Sequence, residues 1–356
     1  MRRMVQVRRQ EKAPAVTDQN NNRILLAHGG GGRLTAELID SMIVPRFAND
    51  ILARLTDSAA IDLSSQSILF TTDSFVVKPL FFNGGDIGKL AVCGTVNDLA
   101  VAGAKPVALS LALIIEEGFE KSTLEKILDS AAETARLADV QIVTGDTKVV
   151  ETGAADGIFI NTSGIGTKIE GASLSFSAIA PGDVVIINGT IGDHGMTIMS
   201  KREGIEFQST LKSDCACLAD LTCKLLAHTD GVRFMRDPTR GGVATVLNEI
   251  ASCARCDILL DEKALPVALA VKAAADMLGL DPLEIANEGK VIIVASPDSA
   301  AKVLDICRCH PLGKDAAVIA SVRDCNGQEP LVEMVTCIGG RRIVQTPYGR
   351  NLPRIC

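Results

Sequence analysis

The sequence predicts an α/β protein of the α+β type, built as two domains of mixed sheet with packed helices. Three observations carry that expectation. Strand-like apolar runs alternate with helix-period segments, 356 residues exceed one ordinary domain, and the pattern restarts after Ala180-Pro181-Gly182-Asp183.

Residues 1–22 are basic at first and then Asn-rich, and read as a flexible extension. The first domain is expected over 23–179. A short strand at Arg23–Ala27 runs into His28 and four glycines, 29–32, with a helix near 34–43. Strand signals dominate 67–77, 140–150 and 157–165. Between them one helix opens at Asp86 and runs to Gly103, where glycine and then Pro106 stop it. Another starts at Ser122, whose capping-box partner is Glu125, and reaches about residue 138. The second domain is expected over 180–345. A buried-type strand at 184–187 leads it, followed by helices near 214–226, 239–254 and 267–278. Strands at 290–295, 317–322 and 331–336 alternate with a helix near 298–309. Residues 346–356 hold two prolines, one glycine and no apolar periodicity, and read as a flexible tail.

Composition excludes several function classes. Thirty-six Lys and Arg against 43 Asp and Glu give a net charge of -7, and there is no Trp and one Tyr. A nucleic-acid partner is therefore not expected. No run approaches the roughly 18 to 20 apolar residues of a membrane helix, so no membrane partner is expected either. Eleven cysteines, an odd count at irregular spacing, read as free thiols in a reducing compartment, the cytoplasm. Cys253-x-x-Cys256 and Cys307-x-Cys309-His310 are too far apart for a zinc knuckle, and buried thiols are the simpler reading.

Four aspartates break local rules. Asp73 interrupts an apolar run, and Asp98 sits late in an apolar helix where the dipole disfavours it. Asp146 follows a glycine inside a strand, and Asp237 lies between Arg236 and Pro238. Asp57 is a weaker fifth. Converging acids near Gly-rich turns suit divalent cations on a polyphosphate; separately, each would cap a helix or pair with a base. Ala91, Gly94, Thr95, Asp98 and Ala102 share one small, polar helix face that admits a ligand or a second backbone. Gly84–Lys89 is turn-like, yet neither P-loop nor Rossmann spacing is present. Cys356 ends the sequence on about 11 flexible residues, a reach of ~36 Å when extended, which suits a swinging carrier arm. Arg354 beside it would favour the thiolate.

Asp57-Ser-Ala-Ala, Thr71-Thr-Asp-Ser74, Asn97-Asp98, Gly145-Asp-Thr147 and Asp237-Pro-Thr-Arg-Gly-Gly242 resemble the ATP-binding signature of the superfamily containing aminoimidazole ribonucleotide synthetase and selenophosphate synthetase. AHGGGGR (27–33), the run 71–104, VTGDTKVV (143–150), GDHG (192–195), RDPTRGGV (236–243), ANEGK (286–290), HPLGKDAA (310–317) and the terminal PRIC resemble its hydrogenase-maturation branch. The resemblance spans about 23–356, and PRIC is its most specific part.

The resemblance implies a homodimer whose N-terminal domains pair into a β-barrel, with ATP and Mg2+ between the two domains of each chain. It implies a carbamoyltransferase, HypF, that loads Cys356, ATP-driven dehydration of the thiocarboxamide to a thiocyanate, and a HypC–HypD iron scaffold that receives the cyanide. By motif match it places Asp57, Asp73, Asp98 and Asp237 on magnesium, with Asp146 as a further ligand. Asp73, Asp86, Lys89, Asn97, Thr147 and Arg240 would bind the nucleotide. Cys356 would carry the substrate, Lys148 would neutralise phosphate, Glu288 is the candidate base, and His194 a second one. Two readings compete. One is a superfamily enzyme that phosphorylates a free amide or selenide, although the His28–Arg33 loop holds no Cys or Lys. The other is a non-catalytic module whose tail is a docking peptide.

Overall fold

A computed structural model describes residues 22–29, 33–52, 61, 67–204, 211–325, 327, 329–347 and 355–356. Expectations for Asp57, Arg354, the glycines 30–32 and residues 1–21 lie outside them. Two sheets organise the rest. The first contains β1 (Ile68–Phe75), β4 (Ala104–Glu116), β5 (Gln141–Val150) and β6 (Ile158–Lys168), in the order β1-β6-β4-β5. β4 pairs parallel to β5, while β6 runs antiparallel to both β1 and β4. A small hairpin, β2 (Phe81–Phe82) and β3 (Gly85–Asp86), leads into the helices.

The second sheet has seven strands, in the order β13-β12-β9-β11-β7-β10-β8. They are β7 (Val184–Ile187), β8 (Val232–Arg236), β9 (Cys256–Asp261), β10 (Ile292–Ala295), β11 (Ala317–Asp324), β12 (Val332–Val335) and β13 (Arg341–Ile343). Its pairs are antiparallel except β12 with β9. β10 is a central strand buried at all four positions, and reads as an unbroken apolar run for that reason. Among the described residues eight α-helices accompany the sheets: α1 (Arg33–Leu38), α2 (Ile87–Val101), α3 (Lys121–Leu137), α4 (Asp193–Arg202), α5 (Ala219–His228), α6 (Gly242–Ala254), α7 (Leu269–Leu278) and α8 (Pro297–Cys309). Among the described residues no helix is long and apolar enough to cross a membrane.

Several elements were not anticipated. β4 was hidden because its outward positions, among them Val107, Ala112 and Ile114, are apolar too, so the sequence shows no polar alternation although the burial alternates, and Pro106 read as a stop. The proline sits where the pairing register slips, a position that tolerates a missing N–H. β8, β9, β13 and α4 are short and carry weak patterns. Ser122 lies inside the first turn of α3 rather than capping it.

α2 shapes the site. Every residue of it except Lys89 and Asp98 is buried, so it has no solvent face. Its stripe of small residues meets the first sheet at close range. A methyl at Gly94 would lie 2.8 Å from the Phe75 ring and 3.6 Å from an Asp73 carboxylate oxygen. Thr95 hydrogen-bonds Thr162 on β6, whose hydroxyl also donates to the Ala91 carbonyl at 3.0 Å. On the other side, a methyl at Gly88 would stand 2.2 Å from the Ile127 carbonyl oxygen of α3. Gly88→Ala is therefore expected to push two helices apart at about 1–3 kcal/mol, seen as a lower urea midpoint at unchanged m-value.

Candidate functional site

Four segments from both halves of the chain converge beside α2. β1 alternates, so Thr71, Asp73 and Phe75 face α2 while Ile68, Phe70 and Thr72 face away. The Thr71 hydroxyl donates to Asp98 at 2.8 Å and ties strand to helix. Asp237 follows β8, and Arg240, three residues on, donates to Asp73 at 3.1 Å. Glu288 precedes β10.

The carboxylates feel one another. Burial raises Asp73 above the usual range against the pull of Arg240. Burial also raises Asp98, and the negative charge of Asp73 adds to it. Asp237 is pushed up to about 7 by burial and then by Asp98. Glu288 is 2% exposed, one of its carboxylate oxygens has no hydrogen-bond partner, and burial holds its proton well above the usual range.

Ile355 and Cys356 sit in the same place. Ile355 is buried in the core of the first sheet, and the Val76 N–H donates to the Cys356 carbonyl at 3.1 Å. Burial, then the charges of Glu288 and Asp73, push the Cys356 thiol up to about 12, with Arg240 hydrogen-bonding it in opposition. The thiolate expected from a neighbouring arginine is thus not the state of the docked sulfur.

Three expected site residues make hydrogen bonds within the fold. The Asp86 carboxylate caps α2, accepting from the N–H groups of Gly88 at 2.7 Å and Lys89 at 3.2 Å, and is spent there. Asn97 donates to the carbonyls of Ala216 and Glu288, both at 3.0 Å, and accepts from the Leu218 N–H at 2.7 Å. These three bonds tie α2 to the segments at 216–218 and 288. Lys89 donates to the Gly84 carbonyl at 3.0 Å and lines a cavity of about 400 Å³ that excludes the three aspartates.

His194 is not a free base. Fully buried, its Nε2 meets the Ile355 carbonyl at 2.9 Å and its Nδ1 the Ser213 hydroxyl at 2.8 Å. Burial lowers its pKa, so the ring is neutral.

Asp146, Thr147 and Lys148 stand apart from the acids within one chain. Through the pairings Asp73↔Thr162, Thr162↔Leu111 and Leu111↔Gly145, they lie at the far edge of the sheet, three strand spacings or ~14 Å from Asp73. Lys148 pairs with Asp146 at 3.0 Å, both largely exposed, and all three residues border a cavity of about 450 Å³ floored by Ile39, Ile43 and Leu113.

Unanticipated residues brace the site. Although burial works against it, Asp214 is held below the usual range by Lys290 and by N–H groups of Glu288 and Gly289. Lys290 stands 3.3 Å from it. Nothing in the local pattern marks Asp214, since its partners are more than 70 residues away.

Among the described residues no three His, Cys, Asp or Glu side chains are grouped closely enough to cage a metal ion. The acids still fit magnesium, which takes one or two carboxylates and completes its shell with phosphate and water. A desolvated, mutually repelling set with an unpartnered Glu288 oxygen is what such a charge would relieve.

Two α/β halves with an acid cluster at their seam define a class, the AIR synthase related proteins. The N-terminal domain of that class matches residues 55–167 and its C-terminal domain residues 180–333. The chain is 50% identical over 341 residues to the carbamoyl dehydratase HypE of Bradyrhizobium diazoefficiens, covering 95% of this chain and 98% of that protein. A crystal structure of hydrogenase maturation protein HypE in complex with ATP superposes with a TM-score of 0.90 at 44% identity, over 93% of this chain and 99% of the other. A HypE–HypF complex structure matches with a TM-score of 0.76 at 50% identity, over 89% and 100%. The chain belongs to the carbamoyl dehydratase HypE family.

Asp98→Asn removes one like charge without changing shape. Nucleotide turnover is expected to fall at least about a hundredfold while the urea midpoint holds or rises; a protein that unfolds more easily would mark Asp98 as structural instead.

Proposed function

We propose that this chain is the ATP-dependent dehydratase that converts an S-carbamoyl group on its own Cys356 into a thiocyanate, the cyanide source for [NiFe]-hydrogenase iron-centre maturation. One observation carries the reading: the Ile355–Cys356 segment is held beside the acids, by His194 on the Ile355 carbonyl and by the Val76 N–H on the Cys356 backbone, and its thiol lies in the field of Glu288 and Asp73. A carrier thiol belongs where its cargo is processed, and a docking peptide would have no reason to enter an acid cluster.

Bound ATP supplies the phosphoryl group that turns a carbamoyl oxygen into a good leaving group. Asp73, Asp98 and Asp237 would hold its magnesium, with Asp57 completing the set, and Arg240 would meet phosphate oxygens. Glu288, buried with an unpartnered oxygen, would take an N–H proton from the carbamoyl nitrogen as its oxygen is phosphorylated, and a second deprotonation would break the C–O bond, expel phosphate and leave the nitrile. The raised pKa of Glu288 makes it a strong enough base for an amide-like proton once ionised. Burial of Ile355 excludes water and fixes the arm, so the reaction is intramolecular.

Partners follow from the chemistry and from the relatives. A HypF-type carbamoyltransferase would load the thiol in the cytoplasm, and a HypC–HypD scaffold would accept the cyanide at iron. A homodimer is supported by the outer face of the first sheet, where Ile68, Phe70 and Ile114 are 52%, 68% and 43% exposed. Two such faces closing into a barrel would place the Asp146–Lys148 edge of each chain near the acid cluster of its mate.

Intact-mass measurement tests the sequence of events. Carbamoylation should add about 43 Da, falling to about 25 Da after ATP-driven loss of water, and Cys356→Ala should show neither. The dehydration rate should rise with pH, about tenfold per unit while Glu288 is mostly protonated, because its raised pKa leaves little base at low pH. Glu288→Gln should retain nucleotide and lose that slope; an unchanged slope would remove Glu288 as the base.

A further inference from the structure

His194 reads the tail through its backbone. A carbonyl oxygen only accepts, so the 2.9 Å contact to Ile355 requires the proton on Nε2, and Nδ1 then accepts from the Ser213 hydroxyl. That hydroxyl in turn accepts from the Cys215 N–H at 3.1 Å. The Phe82 ring meets the imidazole edge-on, centroids 5.4 Å apart. In the docked state the ring is therefore fixed in tautomer by the Ile355 carbonyl and in tilt by Phe82.

The turn that carries it is fixed to the segment bearing Glu288. The Gly192 N–H donates to the Asn287 side chain at 2.7 Å, and the Gly195 N–H donates to the Ala286 carbonyl at 3.1 Å. These two bonds flank His194. Gly195 has no room for a side chain, since a methyl there would lie 2.5 Å from Ile285. One rigid piece thus holds both the tail and the acid that acts on its cargo.

We infer that His194 is a positioning residue, a latch that docks the Ile355–Cys356 segment in register with Glu288 by gripping a main-chain carbonyl. The second grip is the Val76 N–H on the Cys356 carbonyl, and the third is burial of the Ile355 side chain. None of the three touches sulfur. These three grips therefore hold the segment whether the thiol is free, carbamoylated or cyanated, and only the Arg240 contact meets the sulfur itself. The docking claim stands on geometry, while its effect on turnover rests on the proposed function.

Iodoacetamide labelling of the full-length protein, read by peptide mass spectrometry, measures undocking at Cys356, with the exposed Cys253 and Cys309 as internal references. His194→Phe keeps the ring and loses the donor. It should raise Cys356 labelling about fivefold, a single hydrogen bond's worth, with the references unchanged and faster amide exchange at Val76. His194→Gln, which keeps an N–H near Nε2, should return labelling to within about twofold. Ser213→Ala should give a smaller rise and stands in if the Phe variant does not fold. Labelling reads the undocked fraction and dehydration the docked one, so carbamoylated His194→Phe should slow only in proportion to the docked fraction it loses, at unchanged KM for ATP. Equal labelling in His194→Phe and the parent overturns the latch. A labelling shift without dehydration in any variant upholds the latch and overturns the catalytic reading instead.

Discussion

α2 has no face to give to water, and the rest of the molecule is arranged around that constraint. Glycines at 88 and 94 bring it against α3 and β1 at distances no side chain would permit. Because the helix is buried on every side, a polar group on it must find a partner in whatever covers that side. Asp98 finds Thr71 on one sheet, and Asn97 finds the backbone at 216, 218 and 288 beside the other. The helix is thereby the ruler that sets the distance between the two halves of the site.

The acids are kept together against their own repulsion. Tertiary packing places Asp73, Asp98, Asp237 and Glu288 in one another's fields, and Arg240 is mostly exposed and screens them weakly. A structure tolerates such a set when a bound cation and polyphosphate repay the cost on binding. Asp214 and Lys290 offer a contrast. They form a satisfied buried pair with backbone donors, and their effect is mechanical, fixing the turn that carries Glu288.

Much of this was legible in the sequence, for reasons that differ by residue. Asp73 and Asp98 stood out because each breaks a local rule, and both reach the site. Asp86 broke no rule and was better read as the start signal it is, a helix cap. His194 stood in the sequence as a second candidate base beside a structural histidine, and only the fold shows its partners, because both are remote: Ser213 lies 19 residues away and Ile355 161. β4 escaped because apolar residues on its outward face, such as Val107 and Ile114, hide the alternation by which strands are recognised.

What the sequence by itself determined is local: the short-range signals of turns and caps, the alternation of β1 and the chemistry of each side chain. Those follow from dihedral preference and periodicity, which act over a few residues. The tertiary structure alone decided which acids share a field, that the Asp146 edge stands across the sheet, and that the tail lies within reach of Glu288. Each depends on pairings between residues far apart in the chain, such as Val76 with Cys356 and Asn97 with Glu288, and no local preference encodes a partner at that separation.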